Sequence, residues 1–489
     1  MKQMFIGVDL GTSSVKLILM DEDGEIVNVV SKEYPISFPQ NGWSEQNPYD
    51  WYEKSMEGIK ELIKGYENQV KGISFGGQMH GLVVLDKDDK VIRPAILWND
   101  GRTIKECEYL NNEIGTDVLV EETGNIAFAG FTAPKILWMK NNEPELFEKI
   151  EKIMLPKDYL AYRLSGSFAT DVSDASGMLL FDVKNRKWSE KMCEICGISA
   201  DKLAKIYESY EVIGTVLPEV ANELGISTEV KVIAGAGDNA AAAIGTGTVN
   251  DGDCNISLGT SGTVFISSKE YAALNNNAIH SFAHSNGEYH IMGCMLSAAS
   301  CNKWWIEDIL GTKDHAGEQK DIDNLGENHV FFLPYLMGER SPHNDVNARG
   351  AFIGMSMDTK RSEMTQAILE GVAFGLRDSL EVAKELGIDI KRTKICGGGA
   401  KSPLWKKIMA NVCNIPVDTI ESEEGPALGG ALLAAVGCGV FASVNEAAAK
   451  VVKVVGTTEP EAELAAKYEK QYQKFRKMYP ALKDVYKDL

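Results

Sequence analysis

Apolar residues in this chain come in short blocks, each closed by glycine or by an acidic turn. Residues 5–9, 15–20 and 26–30 are three such blocks, and Asp21-Glu22-Asp23-Gly24 separates the last two. Block length and turn chemistry predict a three-strand meander. Residues 51–63 carry apolar side chains at helical spacing. Residues 70–75 read as a short buried strand ending in Gly76-Gly77. Residues 83–85 and 91–97, on either side of an acidic turn, predict more sheet. From about 102 to 224 the pattern is mostly helical, with loops around 124–133 and 165–176. Residues 230–234 form another buried-looking strand, which ends in Gly235-Ala236-Gly237-Asp238. The small residues 240–245 then predict a closely packed helix. A stretch at 247–252 marks the boundary between two halves, 1–246 and 247–489. The second half repeats the plan of glycine turn, strands and helices, with a strand at 395–399 that ends in glycines. Residues 459–479 predict a charged amphipathic helix on the surface.

One short phrase occurs twice. The first copy is Val8-Asp9-Leu10-Gly11-Thr12-Ser13-Ser14, and the second is Ile256-Ser257-Leu258-Gly259-Thr260-Ser261-Gly262. Each sits between two apolar blocks, so each predicts a strand, a tight turn and a second strand. A Gly-Thr-Ser turn points backbone N–H groups and two hydroxyls at one place. It lacks bulk, so phosphate oxygens can come close. Two such turns facing each other would hold the phosphates of one nucleotide between two halves. The copies differ at Asp9 and Ser257. A carboxylate beside phosphates mainly serves a cation such as Mg²⁺, and one is enough.

At 489 residues the chain exceeds one ordinary core, so two domains are expected. Its 44% hydrophobic and 25% charged residues are those of a soluble globular protein. A net charge of −20 argues against nucleic acid or an anionic membrane as partner. Nine cysteines are scattered, and Cys193 and Cys196 form a lone C-x-x-C. A zinc or redox site would need a second pair or histidines at matching spacing, so free buried thiols in a reducing cytoplasm are the better account. The first residues show no signal pattern, and no apolar run is long enough to span a membrane.

Further constellations follow predicted strands. Asp238 precedes a helix whose positive end would face a ligand, although a plain helix N-cap explains an Asp there equally well. Gly397-Gly398-Gly399-Ala400-Lys401-Ser402 would let a nucleobase and ribose lie against backbone, or form a structural turn. Gly76-Gly77-Gln78-Met79-His80-Gly81 is rich in donors and acceptors, and Leu97-Trp98-Asn99-Asp100-Gly101-Arg102 has the mix that suits a polyhydroxylated ligand or a surface turn. The chain has no G-x-x-x-x-G-K-[ST] loop and no protein-kinase signature.

Together these segments resemble the FGGY carbohydrate kinases, within the actin, Hsp70 and sugar-kinase superfold. The family's two characteristic stretches have counterparts at Gly130-Phe131-Thr132-Ala133-Pro134-Lys135-Ile136-Leu137-Trp138-Met139 and from Gly350-Ala351-Phe352-Ile353-Gly354-Met355 to Ala367-Ile368-Leu369-Glu370. Leu155-Pro156-Lys157-Asp158-Tyr159-Leu160, Met295-Leu296-Ser297-Ala298-Ala299-Ser300-Cys301 and Gly338-Glu339-Arg340-Ser341-Pro342-His343 extend the likeness toward members acting on D-xylulose. The resemblance implies an α/β fold of two ribonuclease-H-like domains with an interdomain cleft. It implies transfer of the ATP γ-phosphoryl group to O5 of D-xylulose, with Mg²⁺, in D-xylose catabolism feeding the pentose phosphate pathway. Asp238 would be the general base and Asp9 the Mg²⁺ organiser. Gly11, Thr12, Ser13 and Lys16 would hold phosphates from one side, and Gly259, Thr260 and Ser261 from the other. Gly398, Gly399 and Ala400 would line the adenosine pocket. Gln78, Met79, His80 and Asn239 would define the sugar pocket, with Trp98, Asn99, Asp100 and Arg102 around it. The implied partners are small molecules, and a homodimer is allowed. Rival readings are a kinase for another ketose or polyol and, in a different class, a non-enzymatic nucleotide switch like actin or Hsp70. A dinucleotide-binding oxidoreductase is disfavoured, because no G-x-G-x-x-G follows the first strand.

Overall fold

A computed structural model describes residues 2–273, 279–422 and 424–489. The first meander forms as expected. Strands β1 (Met4–Leu10), β2 (Ser14–Asp21) and β3 (Ile26–Glu33) pair antiparallel in sequence order. β1 is buried almost throughout because it lies inside the sheet, whereas β3 is an edge strand with Val30 as its one fully buried side chain. β4 (Val70–Gly77) joins β1 in parallel on the other side. Beyond it come β5 (Val212–Thr215) and β6 (Lys231–Ile233), giving the order β5-β6-β4-β1-β2-β3. Ala236–Gly237 adds a short extension beside the end of β4.

The second half builds the same plan again. β7 (Cys254–Leu258) and β8 (Gly262–Ser268) flank the second glycine turn. They are followed by β9 (His280–Ala283), β10 (Tyr289–Met295), β11 (Thr393–Cys396), β12 (Val417–Ile420) and β13 (Val454–Thr458). The sheet order is β9-β10-β8-β7-β11-β12-β13. The run β3-β2-β1-β4-β6 in the first half therefore matches β10-β8-β7-β11-β12 in the second. Antiparallel pairing on one side of the turn strand gives way to parallel pairing on the other in both.

The halves meet at a seam of small residues. Helix α1 (Asp238–Gly245) follows the first sheet, and α2 (Gly425–Gly437) comes from late in the chain but packs on α1, β1 and β4. A Cβ on Gly7 would lie 2.0 Å from the Ala427 carbonyl oxygen, and one on Gly429 would lie 1.9 Å from that of Ala241. No side chain fits at such distances, so the small-residue runs set how closely the helices approach.

Two expectations change. At 91–97 only Ala95–Ile96 pairs as strand, because Pro94 cannot donate to a ladder. The section 102–224 is mostly helical, as expected. Strands of two or three residues, such as Lys152–Met154 and Ala169–Asp171, interrupt it and are too short to show alternation. The last helices, Ala462–Phe475 and Met478–Tyr486, are amphipathic but more than a surface element. Tyr468, Tyr472 and Phe475 are buried against Phe374 of the helix Arg361–Glu385. All nine cysteines are unpaired, and burial holds the Cys193 and Cys196 thiols up at about 11 and 12. Among the described residues no helix is long and apolar enough to cross a membrane.

Candidate active site

The first glycine turn is fixed from below by side-chain amides. Gln78 Nε2 donates to the Gly11 carbonyl at 3.3 Å and to Gln46 Oε1 at 3.0 Å, while Gln46 Nε2 donates to the Thr12 carbonyl at 2.6 Å. Trp51 completes the set by donating its indole N–H to Gln46 Oε1 at 3.1 Å. The Gln78 amide nitrogen is thereby engaged by protein, and its buried Oε1 has no donor. Above the turn, Trp98 donates to Thr12 Oγ1 at 3.0 Å. Lys16 lies opposite Asp9 in the β1–β2 register, and its ammonium pairs with Glu424 of the second half at 2.9 Å.

The Asp9 carboxylate accepts no hydrogen bond from any described residue. Burial, and after it the nearby Asp238 carboxylate, pushes its pKa up to about 7, against the pull of Lys16. A carboxylate with free oxygens, near a second carboxylate and beside a glycine turn, is a donor set that suits a hard cation. Among the described residues no cluster of three or more His, Cys, Asp or Glu side chains could hold a metal alone. A cation at Asp9 would therefore need phosphate oxygens and water as its other ligands.

Asp238 opens α1 directly after the Ala236–Gly237 extension of the first sheet. Its Oδ1 accepts the Asn239 backbone N–H at 2.7 Å and Asn239 Nδ2 at 3.0 Å. Burial raises its pKa to about 6, and the two Asn239 hydrogen bonds limit the rise. Beneath it lies a buried network that sequence reasoning left without a role. Lys157 Nζ sits 2.7 Å from Asp158, 2.8 Å from Asp171 and 3.6 Å from Asp174. Ser173 Oγ links this network to the site by donating to Asp171 and accepting the Gly237 N–H at 3.1 Å. The available signal was the Leu155–Leu160 segment, which carries Lys157 and Asp158.

His80 takes a left-handed backbone, φ 69°, which turns its carbonyl toward the helix Thr132–Asn142. There Thr132 Oγ1 donates to that carbonyl at 3.1 Å and Lys135 Nζ at 2.8 Å. The ring stacks on Phe131 at 4.7 Å, and its Nδ1 lies 2.8 Å from the Gly177 carbonyl. Burial first, then the Lys135 charge, lowers its pKa to about 3, so the ring is neutral with Nδ1–H donating to Gly177. Met79 packs where a Cβ on Gly237 would lie, 2.8 Å from its sulfur. Gln78, Met79, His80, Asp238 and Asn239 are thus brought to one place. Lys135 and Phe131 were missed as individual residues, although they lie in the quoted Gly130–Met139 stretch.

Trp98, Asn99, Asp100 and Arg102 do not act together. Trp98 reaches the glycine turn. Arg102 forms a two-bond fork with Asp100, at 2.8 and 2.7 Å, and stacks 3.7 Å over Trp43. Asn99 lines a shallow depression of about 460 Å³ with Asn41 and Trp43.

In the second half Gly259 is half-buried while Thr260 and Ser261 are exposed. The N–H groups of Ala298 and Ala299 hold the Thr260 and Gly259 carbonyls at 3.0 and 2.8 Å, and Ser300 Oγ adds 2.7 Å to Thr260. Gly397, at φ 86°, comes so close to this turn that a Cβ would lie 2.9 Å from the Gly259 nitrogen. The Gly398–Lys401 turn therefore adjoins the second glycine turn. Gly398 is exposed with open space above it, Ala400 is half-buried, and Gly399 is buried against Trp405.

Two matching sheets, each with a glycine turn between its first two antiparallel strands, give the two-domain α/β fold of the actin, Hsp70 and sugar-kinase superfold. The comparisons make this specific. The N-terminal domain of the FGGY family of carbohydrate kinases matches residues 4–245 and its C-terminal domain residues 254–438. The chain belongs to the FGGY family of carbohydrate kinases. It is 40% identical to the xylulose kinase of Escherichia coli (strain K12) over 484 residues, 98% of this chain and 99% of that protein. The solved structure of a xyloylose kinase from Brucella ovis is 38% identical, with a TM-score of 0.94, covering 99% of this chain and 100% of that one. A gluconate kinase structure from Lactobacillus acidophilus is 26% identical, with a TM-score of 0.95 and 100% coverage of both chains.

Proposed function

We propose that this carbohydrate kinase transfers the γ-phosphoryl group of ATP to O5 of D-xylulose. The observation that carries the reading is the E. coli xylulose kinase, whose 40% identity runs nearly end to end. The site supports it. Met79 of the His80 turn packs on Gly237 next to Asp238, and the Asp238 carboxylate acts on Asp9, an arrangement that suits a sugar whose hydroxyl must lose a proton beside a phosphate.

In this reading Asp238 takes the hydroxyl proton. A carboxylate raised to about 6 is ionised at neutral pH, yet basic enough to draw on a hydroxyl as its bond to phosphorus forms. Asn239 holds Oδ1 in place. Gly11, Thr12, Ser13 and Lys16 cradle phosphates from one side, and Gly259, Thr260 and Ser261 from the other. Gly398, Gly399 and Ala400 line the adenosine pocket. Gln78, Met79, His80 and Asn239 shape the sugar pocket with Trp98 at its edge, whereas Asp100 and Arg102 are taken up by each other and Asn99 by the depression beside Trp43. Asp9 would hold Mg²⁺, which supplies neutralisation of the β- and γ-phosphate charge when bound. We place the division between domains at 246/247, supported by the end of α1 at Gly245. The unpaired cysteines support a cytoplasmic setting.

The test is ADP release with D-xylulose against glycerol, L-ribulose, D-gluconate and L-fuculose. D-Xylulose should give the highest kcat/KM. The gluconate kinase likeness favours a second reading, in which a sugar acid is the acceptor. A clear preference for D-gluconate would establish that reading instead.

A further inference from the structure

The segment Gly338–His343 is built around one arginine. Glu339, buried at 2% exposure, accepts the Leu296 and Arg340 backbone N–H groups through Oε1 at 3.0 and 2.7 Å. Its own backbone exchanges two hydrogen bonds with Asp345, at 2.9 and 2.8 Å. On the other side, Ser341 N–H donates to the Cys294 carbonyl at 2.8 Å, and Cys294 N–H returns to Ser341 Oγ at 3.0 Å. Both neighbours of Arg340 are thereby stitched to the end of β10.

The Arg340 side chain leaves this clamp toward the first half. Its guanidinium carbon lies 5.4 Å from the Phe128 ring centroid, and its charge pulls against the burial that raises the Cys294 thiol. Its charge acts on His80 of the first half, and Cys294 in turn feels the Asp238 carboxylate. No carboxylate among the described residues forms an ion pair with it. An arginine whose neighbours are clamped on both sides, half-buried and without a carboxylate partner, has N–H donors to spare. Through Phe128 it adjoins the aromatic support of the His80 turn, since Phe128 packs on Phe131 at 5.4 Å and Phe131 stacks on His80.

We propose that Arg340 is a substrate-binding residue of the second half, donating hydrogen bonds to the oxygens of the polyhydroxylated substrate held at the His80 turn. This rests on the reading of the cleft as a sugar site. It makes the bound sugar a bridge between the halves, and gives a physical reason for the site to assemble only around its acceptor.

The experiment is steady-state kinetics of Arg340→Met and Arg340→Lys, with the melting temperature of each. Arg340→Met should raise the KM for D-xylulose about tenfold or more while the KM for ATP moves less than about twofold. Arg340→Lys keeps the charge but loses the fork, so it should recover only part of the loss. It also serves as the test if the Met variant fails to fold. A fall in kcat with an unchanged sugar KM would place the guanidinium on the transferring phosphoryl group and overturn the proposal. Unchanged constants in a folded variant would overturn it too. If the wild-type enzyme prefers another polyol, the same measurement is made with that polyol, so failure of the D-xylulose reading and failure of the Arg340 proposal stay separate.

Discussion

The Gly11 turn and the Gly259 turn hold matching places in matching sheets, yet their electrostatic surroundings differ. Around the first are Asp9, Asp238 and the Lys16–Glu424 pair, with two carboxyls raised to about 7 and about 6. Residues 256–263, around the second, carry no charged side chain, and Ser257 stands where Asp9 stands in the first copy. The second turn is held by backbone and hydroxyl groups instead. Repeating a fold has not repeated its chemistry. A carboxylate in both turns would set two anions against the phosphates of one nucleotide. In the proposed reading one charged turn and one neutral turn divide the work: the first would serve metal and base, and the second would only cradle phosphate.

The sharpest way to break this comparison is at Asp238. Asp238→Ala should lose about 10²–10⁴-fold in kcat while nucleotide binding persists, because a general base contributes that much. A variant keeping more than about a tenth of wild-type kcat would mean that another group takes the proton. Asp9→Asn comes next. It keeps the shape and removes the charge, so turnover should fall on the order of 10²-fold and need more Mg²⁺. Sugar affinity should change little. An unaltered Mg²⁺ requirement with poor sugar affinity would move Asp9 into the sugar pocket and erase the proposed division.

A smaller effect is expected at the sugar turn. His80→Ala removes the ring that packs on Phe131 and meets Gly177. It should raise the sugar KM about tenfold, with the KM for ATP nearly constant. Thermal unfolding run in parallel separates this from damage to the fold, which would lower the melting temperature and leave the KM of surviving enzyme normal.

Much of this organisation was legible in the chain because it rests on short-range signals. The meander, the two glycine turns and the strands before Gly76 and Asp238 each announce themselves through apolar blocks and glycine. What stayed hidden depends on distant pairing. Gln46 was not singled out, since nothing near it in sequence shows that its amide braces the Thr12 carbonyl. Lys157 could not be read as the buried partner of Asp171 and Asp174, because only the fold brings them together. Asp100 and Arg102 look like ligand groups in a polar stretch, and only the structure shows them spent on each other. The packing of α2 on the first sheet is long-range in the same way. Its small residues were visible, but their partner was not.

The last prediction sharpens the neutral side of the comparison. β9, β10 and the turn between them bring His280, His284 and His290 into a buried aromatic cluster, where Phe265, Phe282 and Met292 pack with residues of the first half. His290 stacks on Phe265 at 4.1 Å, and neither of its ring nitrogens has a hydrogen-bond partner. Burial, and then the neighbouring His284 and His280, hold its pKa well below the ordinary value. The unfolded ring takes up a proton as pH falls through about 6.5, whereas the folded ring does not. Its folded pKa is depressed, so stability is full above about 6.5 and is lost below it. Going from pH 8 to pH 6 should cost about 0.8 kcal/mol at this one ring. His290→Phe keeps the stacking and removes the titration. Its melting temperature should therefore fall less between pH 8 and pH 6 than that of the wild type, by roughly 1–2 °C. Equal acid sensitivity of the two proteins would show that the ring finds a proton partner in the folded state, and that this face of the second half is not electrostatically neutral.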